Sequence, residues 1–114
     1  MSAPATAPAV HYGYRTLRLP EFDLEGHLSY DLRRSQLILT EFNGDAEVLS
    51  VDLRAEGFIA FPGEVIVKDW SEHAGLAEAL IDADVAIRIE TLCVGPFASR
   101  AYRLQLLDPE VTGR

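Results

Sequence analysis

The sequence predicts an α+β domain: a mostly antiparallel sheet of about six or seven strands, with one helix at about 71–82 packed on one face. Three observations carry this prediction. Most of the chain alternates apolar and polar residues with period two. The alternating runs are joined by short turns rich in Gly, Pro and Asn, which favours antiparallel neighbours. Only residues 72–83 switch to the helical period.

Taken in order, residues 1–11 read as a disordered tail rich in Ala and Pro, and a single domain spans 12–108. Tyr14–Leu19 is strand-like and is interrupted by Pro20. From Phe22 to Leu32 the alternation is clean. Phe22, Leu24, Leu28, Tyr30 and Leu32 point one way, and Asp23, Glu25, His27, Ser29 and Asp31 the other. Gly26 falls on the apolar side, where a bulge or bend is expected. Arg33-Arg34-Ser35 is a turn, Gln36–Phe42 a strand, and Asp45–Leu53 another. Asn43-Gly44 between them predicts a type I′ hairpin, which needs positive φ at both central residues.

A short strand follows Gly57, over F-I-A-F, and Pro62-Gly63 closes it in a type II turn. Glu64–Lys68 is the next strand. In the helix, Leu76 and Leu80 share a face with Ala77 and Ile81, and Glu78 and Asp82 lie opposite. Gly75 within it costs about 1 kcal/mol relative to Ala, so close packing is expected there. Val85–Val94 is a strand with Val85, Ile87, Ile89 and Cys93 on one face. The last strand covers about Ser99–Leu107, with Tyr102, Leu104 and Leu106 together; 109–114 is a loose C-terminal tail.

The 114 residues fit one domain. At 48% apolar and 25% charged, the composition is that of a globular chain rather than a disordered one. A single cysteine, Cys93, rules out an internal disulfide and is read as a small core residue. No apolar run is long enough to span a membrane and no signal peptide is evident, so the cytoplasm is the expected location. The net charge of −8 argues against direct binding of nucleic acid or anionic membrane. It suits a basic surface on a nucleic-acid-handling protein as partner.

The stretch K-D-W-S-E-H-A-G, residues 68–75, places Asp69, Glu72 and His73 within five positions. A capping box explains most of it: Asp69 satisfies backbone donors at the helix start, and Glu72 reaches back. His73 as a base oriented by Asp69 or Glu72 would need a nucleophile, and no serine or cysteine stands in a suitable setting. No catalytic residue, metal ligand or cofactor site is therefore assigned. The candidate residues are acidic. Glu21, Asp23 and Glu25 lie on one polar strand face and repeat every ~6.6 Å, a charge pitch that resembles a nucleic-acid backbone. Glu41, Asp45 and Glu47 add charge at the Asn-Gly hairpin, and Glu72, Glu78 and Asp82 at the helix. An ordinary solvated sheet face explains the same residues without a partner.

E-V-L-S-V-D-L, followed by P-G-E-V-I-V-K-D-W-S-E-H-A-G-L-A-E-A-L-I-D-A, resembles small uncharacterised proteins of bacterial phages and plasmids. In those, a strand runs into a K-D-(Y/W)-S-E motif and a short helix. Lys68, Asp69, Trp70, Ser71, Glu72, Gly75 and Leu76 match; His73-Ala74 departs from the usual polar pair. The likeness covers about a third of the chain. It implies a mobile-element accessory protein; small acidic proteins of that kind often block CRISPR effectors or mimic DNA against restriction enzymes, and with no catalytic constellation in the sequence a non-enzymatic inhibitor is expected. The alternative is a structural accessory domain that self-associates as a homodimer.

Overall fold

The computed structural model describes residues 9–109. They form two antiparallel sheets and one short α-helix. The first sheet is a meander of β1 (Ala9–Arg18), β2 (Asp23–Asp31), β3 (Gln36–Thr40) and β4 (Ala46–Val48), in that order. The second contains β5 (Glu64–Lys68), β6 (Ala86–Val94) and β7 (Ser99–Leu106), in the order β5-β7-β6. Helix α1 (Leu76–Asp82) packs against β1, β5 and β6. The expected α+β class holds, with the strands divided between two sheets.

The main core lies between the inner faces of the two sheets and the helix. Leu17, Leu28, Leu37 and Leu39 meet Val65, Val67 and Leu104, with Leu76 and Leu80 from α1. Each fully buried Leu or Val contributes about 1.5–3 kcal/mol of hydrophobic stabilisation. The period-two reading of β2 holds over 23–31, with Leu24, Gly26, Leu28 and Tyr30 buried. Two polar ties cross the core: the Tyr12 hydroxyl donates to the Leu107 carbonyl at 2.7 Å, and the Gly63 N–H to the Tyr30 hydroxyl at 3.1 Å. Arg15 satisfies a carbonyl at the C-terminal end of α1, donating to Ala83 O at 2.7 Å.

Several expectations are corrected. Residues 9–11 belong to β1 rather than to a tail; residues 1–8 and 110–114 of the two expected tails lie outside the described residues. The β3–β4 hairpin forms, but not through a type I′ turn. Only Gly44 has positive φ, Gly44 N–H donates to Glu41 O, and Glu41 N–H donates to Asp45 O. This is a three-residue loop with a left-handed glycine, stabilised by the Asn43 side chain accepting the Asp45 N–H at 3.0 Å.

The strand expected over Asp45–Leu53 is cut short, with only Ala46–Val48 forming β4, and the strand expected over 58–61 is absent. Residues 51–60 instead lie across the outer face of the second sheet, where Val51, Leu53, Phe58, Ala60 and Trp70 cover Ile66, Leu92, Val94 and Ala101. Their alternation arises because alternate side chains face a sheet, while the backbone meets it at one point, where the Val51 N–H donates to the Ile66 carbonyl at 2.8 Å. The expected type II turn at Pro62-Gly63 is present: Glu64 N–H donates to Phe61 O, and Gly63 has φ 86°.

The helical segment expected at about 71–82 is present, in two parts: a 3-10 turn, Ser71–His73, leads into α1, and Gly75 in the left-handed region separates the two. Finally, β6 changes phase. The register slips between Arg88 and Glu90, so no single face runs the length of the strand. Ile87 and Ile89 are outward and Cys93 is exposed, while Leu92 and Val94 are buried.

Candidate functional site

The predicted acidic residues divide into three groups. Asp23, Glu25 and Glu41 come together. They line a shallow groove of about 520 Å³ with the aromatic rings of Tyr14 and Phe42, and with Leu24 and Asn43 between them. Strand pairing builds it. Arg18 opposes Asp23 and Thr16 opposes Glu25, which fixes the carboxylates on the outer face of β2. Thr40 opposes His27, so β3 ends at the middle of β2 and the chain beyond it runs beside the first half of that strand. Gly26 permits this closure, since a Cβ there would lie 2.4 Å from the Thr40 carbonyl oxygen. The hairpin loop then carries Glu41 and Phe42 against the β1–β2 pair.

Little neutralises these carboxylates. Arg18 Nη1 lies 3.4 Å from Asp23 Oδ2 in an exposed pair, which is worth little in water. The Thr16 hydroxyl donates to Glu25 at 3.2 Å. Among the described residues the Glu41 side chain has no ion-pair partner. Tyr14 is 60% exposed and Phe42 is 96% exposed. Exposed rings beside carboxylates can take the stem of a Lys or Arg on the ring face while the charge meets the acid.

Other predicted residues stand apart. Glu21 is exposed in the β1–β2 turn, outside the groove lining. Asp45 accepts from the Asn43 side chain at 3.1 Å. Glu78 pairs with Arg88 of β6, and Glu72 with Lys68 at 3.1 Å. Its own backbone N–H, then the Lys68 ammonium, hold the Glu72 carboxyl below the usual range. Asp82 is exposed on the helix.

Glu47 is not a free charge of the hairpin. It opposes Leu39, and its carboxylate, on a side chain still 37% exposed, meets Nε2 of buried His73 at 3.0 Å. Asp69 and Glu72, the neighbours of His73 in sequence, are engaged elsewhere. Asp69 accepts the Gly75 N–H at 2.7 Å, so the capping box is replaced by a carboxylate that holds the left-handed glycine. Nδ1 of His73 is buried without a hydrogen-bond partner. An unpaired lone pair is a smaller penalty than an unpaired N–H, so the geometry favours the proton on Nε2, donated to Glu47. The pair ties edge strand β4 to the entry of the helix. The signal was present in the sequence: Glu47 has the same parity as buried Leu49.

His11 and His27, neither of which reaches His73, meet each other at 3.0 Å. Among the described residues no three His, Cys, Asp or Glu side chains gather where they could hold a metal ion. No helix there is long and apolar enough to cross a membrane. Fold and groove together define a small two-sheet α+β domain with an acidic, aromatic-flanked surface. Comparison with protein-family models, with curated proteins and with solved structures finds no match to this chain.

Proposed function

We propose that this chain is a non-enzymatic binding protein whose acidic groove docks on a basic, nucleic-acid-handling surface of a partner protein. The observation that carries the reading is the convergence of Asp23, Glu25 and Glu41 around exposed Tyr14 and Phe42. Exposed aromatic side chains within a charged rim are the composition of a protein interface. The carboxylates steer a basic partner, and the rings supply contact area that long-range attraction alone does not. The resemblance around Lys68–Leu76 gives this reading a particular form, an inhibitor that a phage or plasmid directs at a host defence nucleoprotein complex. The groove itself bears only on the charge and shape of the partner.

The test is a tagged pull-down from a bacterial lysate carrying defence systems, beside the variant Asp23→Lys/Glu25→Lys/Glu41→Lys. A nucleic-acid-handling complex retained by the native chain and lost by the variant supports the proposal. Equal retention by both removes the groove from it. A second reading rests on β6, an edge strand that presents Ile87 and Ile89 to solvent at 48% and 45% exposure. Pairing of this edge with a second copy would give a homodimer. A light-scattering mass at twice 12.6 kDa, unaffected by salt, would favour it.

A further inference from the structure

A second concavity lies at the other end of β2 and β3, between the turn that joins them and the segment that covers the second sheet. Its volume is about 500 Å³, within the range of small-molecule sites. Its charge is opposite to that of the molecule. Arg33, Arg34 and Arg54 line it, in a chain of net charge −8. Asp52 is the one acid in the lining, and it is already held: Arg54 Nη2 lies 2.7 Å from its Oδ2, and hydrogen bonds from the Arg54 side chain and backbone keep its carboxyl below the usual range. Asp31, at the start of the turn, accepts the backbone N–H groups of Arg33 and Arg34 and so fixes where those residues stand. The guanidinium groups of Arg33 and Arg34 have no ion-pair partner among the described residues.

The rest of the lining is apolar. Val51, Leu53, Phe58 and Ile66 form a floor continuous with the smaller core on the outer face of the second sheet. One polar group interrupts it. Ser50 is 8% exposed, and its hydroxyl oxygen accepts the Leu37 N–H at 3.0 Å. The hydroxyl hydrogen has no acceptor among the described residues. The cleft thus combines two unpaired guanidinium groups, a buried hydroxyl donor and an apolar wall.

From this combination we infer that the cleft binds an organic anion, a single carboxylate or phosphate head on an apolar body. The head lies at Arg33 and Arg34, whose planar donors match both anions in a forked geometry. The Ser50 hydroxyl adds a third donor. The body lies on Val51, Phe58 and Ile66. The site is independent of the acidic groove, since no residue lines both.

The test is a titration of the isotope-labelled native chain, followed by amide NMR, with octanoate, octyl phosphate, octanol and inorganic phosphate as separate probes. Octanoate or octyl phosphate should shift residues 33–36, 50–54 and 58–60, and whichever binds more tightly identifies the head. Octanol and inorganic phosphate should bind at least tenfold more weakly, each lacking half of the ligand. Arg33→Glu/Arg34→Glu should weaken binding at least tenfold with an otherwise unchanged spectrum. Arg100→Glu, an exposed arginine outside the cleft, should leave it unaltered. Octanol binding as well as octanoate, binding that persists in the double variant, or no cleft shifts at millimolar probe would each overturn the inference. An acidic peptide, titrated as a fifth probe, would also overturn it if it alone shifted these residues, which would make the cleft a protein-docking surface.

Discussion

Replacing Gly75 with alanine should be far more damaging than the same change at Gly57, although both residues have nearly the same backbone conformation. Gly75 has φ 86° and ψ −1°; Gly57 has φ 91° and ψ 9°. An L side chain in this region costs about 1–2 kcal/mol, offset by roughly 0.4–1 kcal/mol from the lower entropy of the unfolded chain. At Gly57 nothing lies within 4 Å of a Cβ, so the net loss should be about 1 kcal/mol. At Gly75 a Cβ would lie 2.4 Å from Pro20 Cδ and 3.1 Å from Cγ. The proline ring cannot swing aside, and its turn is closed by the Leu19 N–H on Phe22 O at 3.0 Å. Overpacking of this kind adds about 1–3 kcal/mol, for a total of roughly 2–4 kcal/mol. Urea unfolding of both variants measures the difference, with an unchanged m-value as the two-state check. In a Pro20→Ala background the Gly75→Ala loss should fall to that of Gly57→Ala. Equal losses at the two glycines, or no relief from Pro20→Ala, would refute the claim that close approach demands a glycine here.

Three other outcomes are expected. Glu47→Ala should cost about 1–3 kcal/mol by stranding buried His73, and a double-mutant cycle with His73→Leu should give a coupling of at least about 0.5 kcal/mol; strict additivity would mean the hydrogen bond does not stabilise the fold. Burial pushes the Tyr12 hydroxyl up from 10.0 to about 12, so the unfolded chain loses this proton first and stability falls as pH rises between those values. Tyr12→Phe should make that alkaline loss shallower, and an identical pH profile for both chains in urea unfolding would contradict it. Cys93, outward on β6, should react with a thiol reagent in the folded protein, and reaction only after unfolding would return it to the core.

What the sequence made legible follows from which features are local. The alternation from Asp23 to Asp31 is preserved because β2 itself carries no extra residue: it pairs with β3 without a slip, and the bulge in the β1–β2 ladder falls on β1, between His11 and Gly13. The turn at Pro62-Gly63 was legible because its two central residues set their own backbone angles. Features that depend on distant contacts were not. The run over 58–61 has the pattern of a strand and packs like one face of a strand, but its partner is the side-chain surface of the second sheet. The slip at Ile89 inverts the faces of β6, and period-two reasoning cannot detect one extra residue. At the site, Asp23 and Glu25 were legible as neighbours on one strand face. Their meeting with Glu41, Tyr14 and Phe42 required the register of three strands and the missing Cβ of Gly26.

A net charge sums what the fold separates. The acidic groove stands at the Thr40 end of β3 and the arginine cleft at the Gln36 end. Four rises of about 3.3 Å separate these ends by roughly 13 Å. That exceeds the Debye length of about 8 Å at physiological salt, so each end is felt largely separately by whatever approaches it. Two consequences distinguish this from a uniformly acidic surface. Charge reversal at Asp23, Glu25 and Glu41 should abolish capture of a basic partner and leave octanoate binding at Arg33 and Arg34 unchanged. Lowering the ionic strength should couple the two ends, because the screening length grows to about 30 Å at 0.01 M. The groove variant should then bind the organic anion more tightly than the native chain does. If its affinity is the same at low and physiological salt, the charges of the two ends act only through short-range contacts.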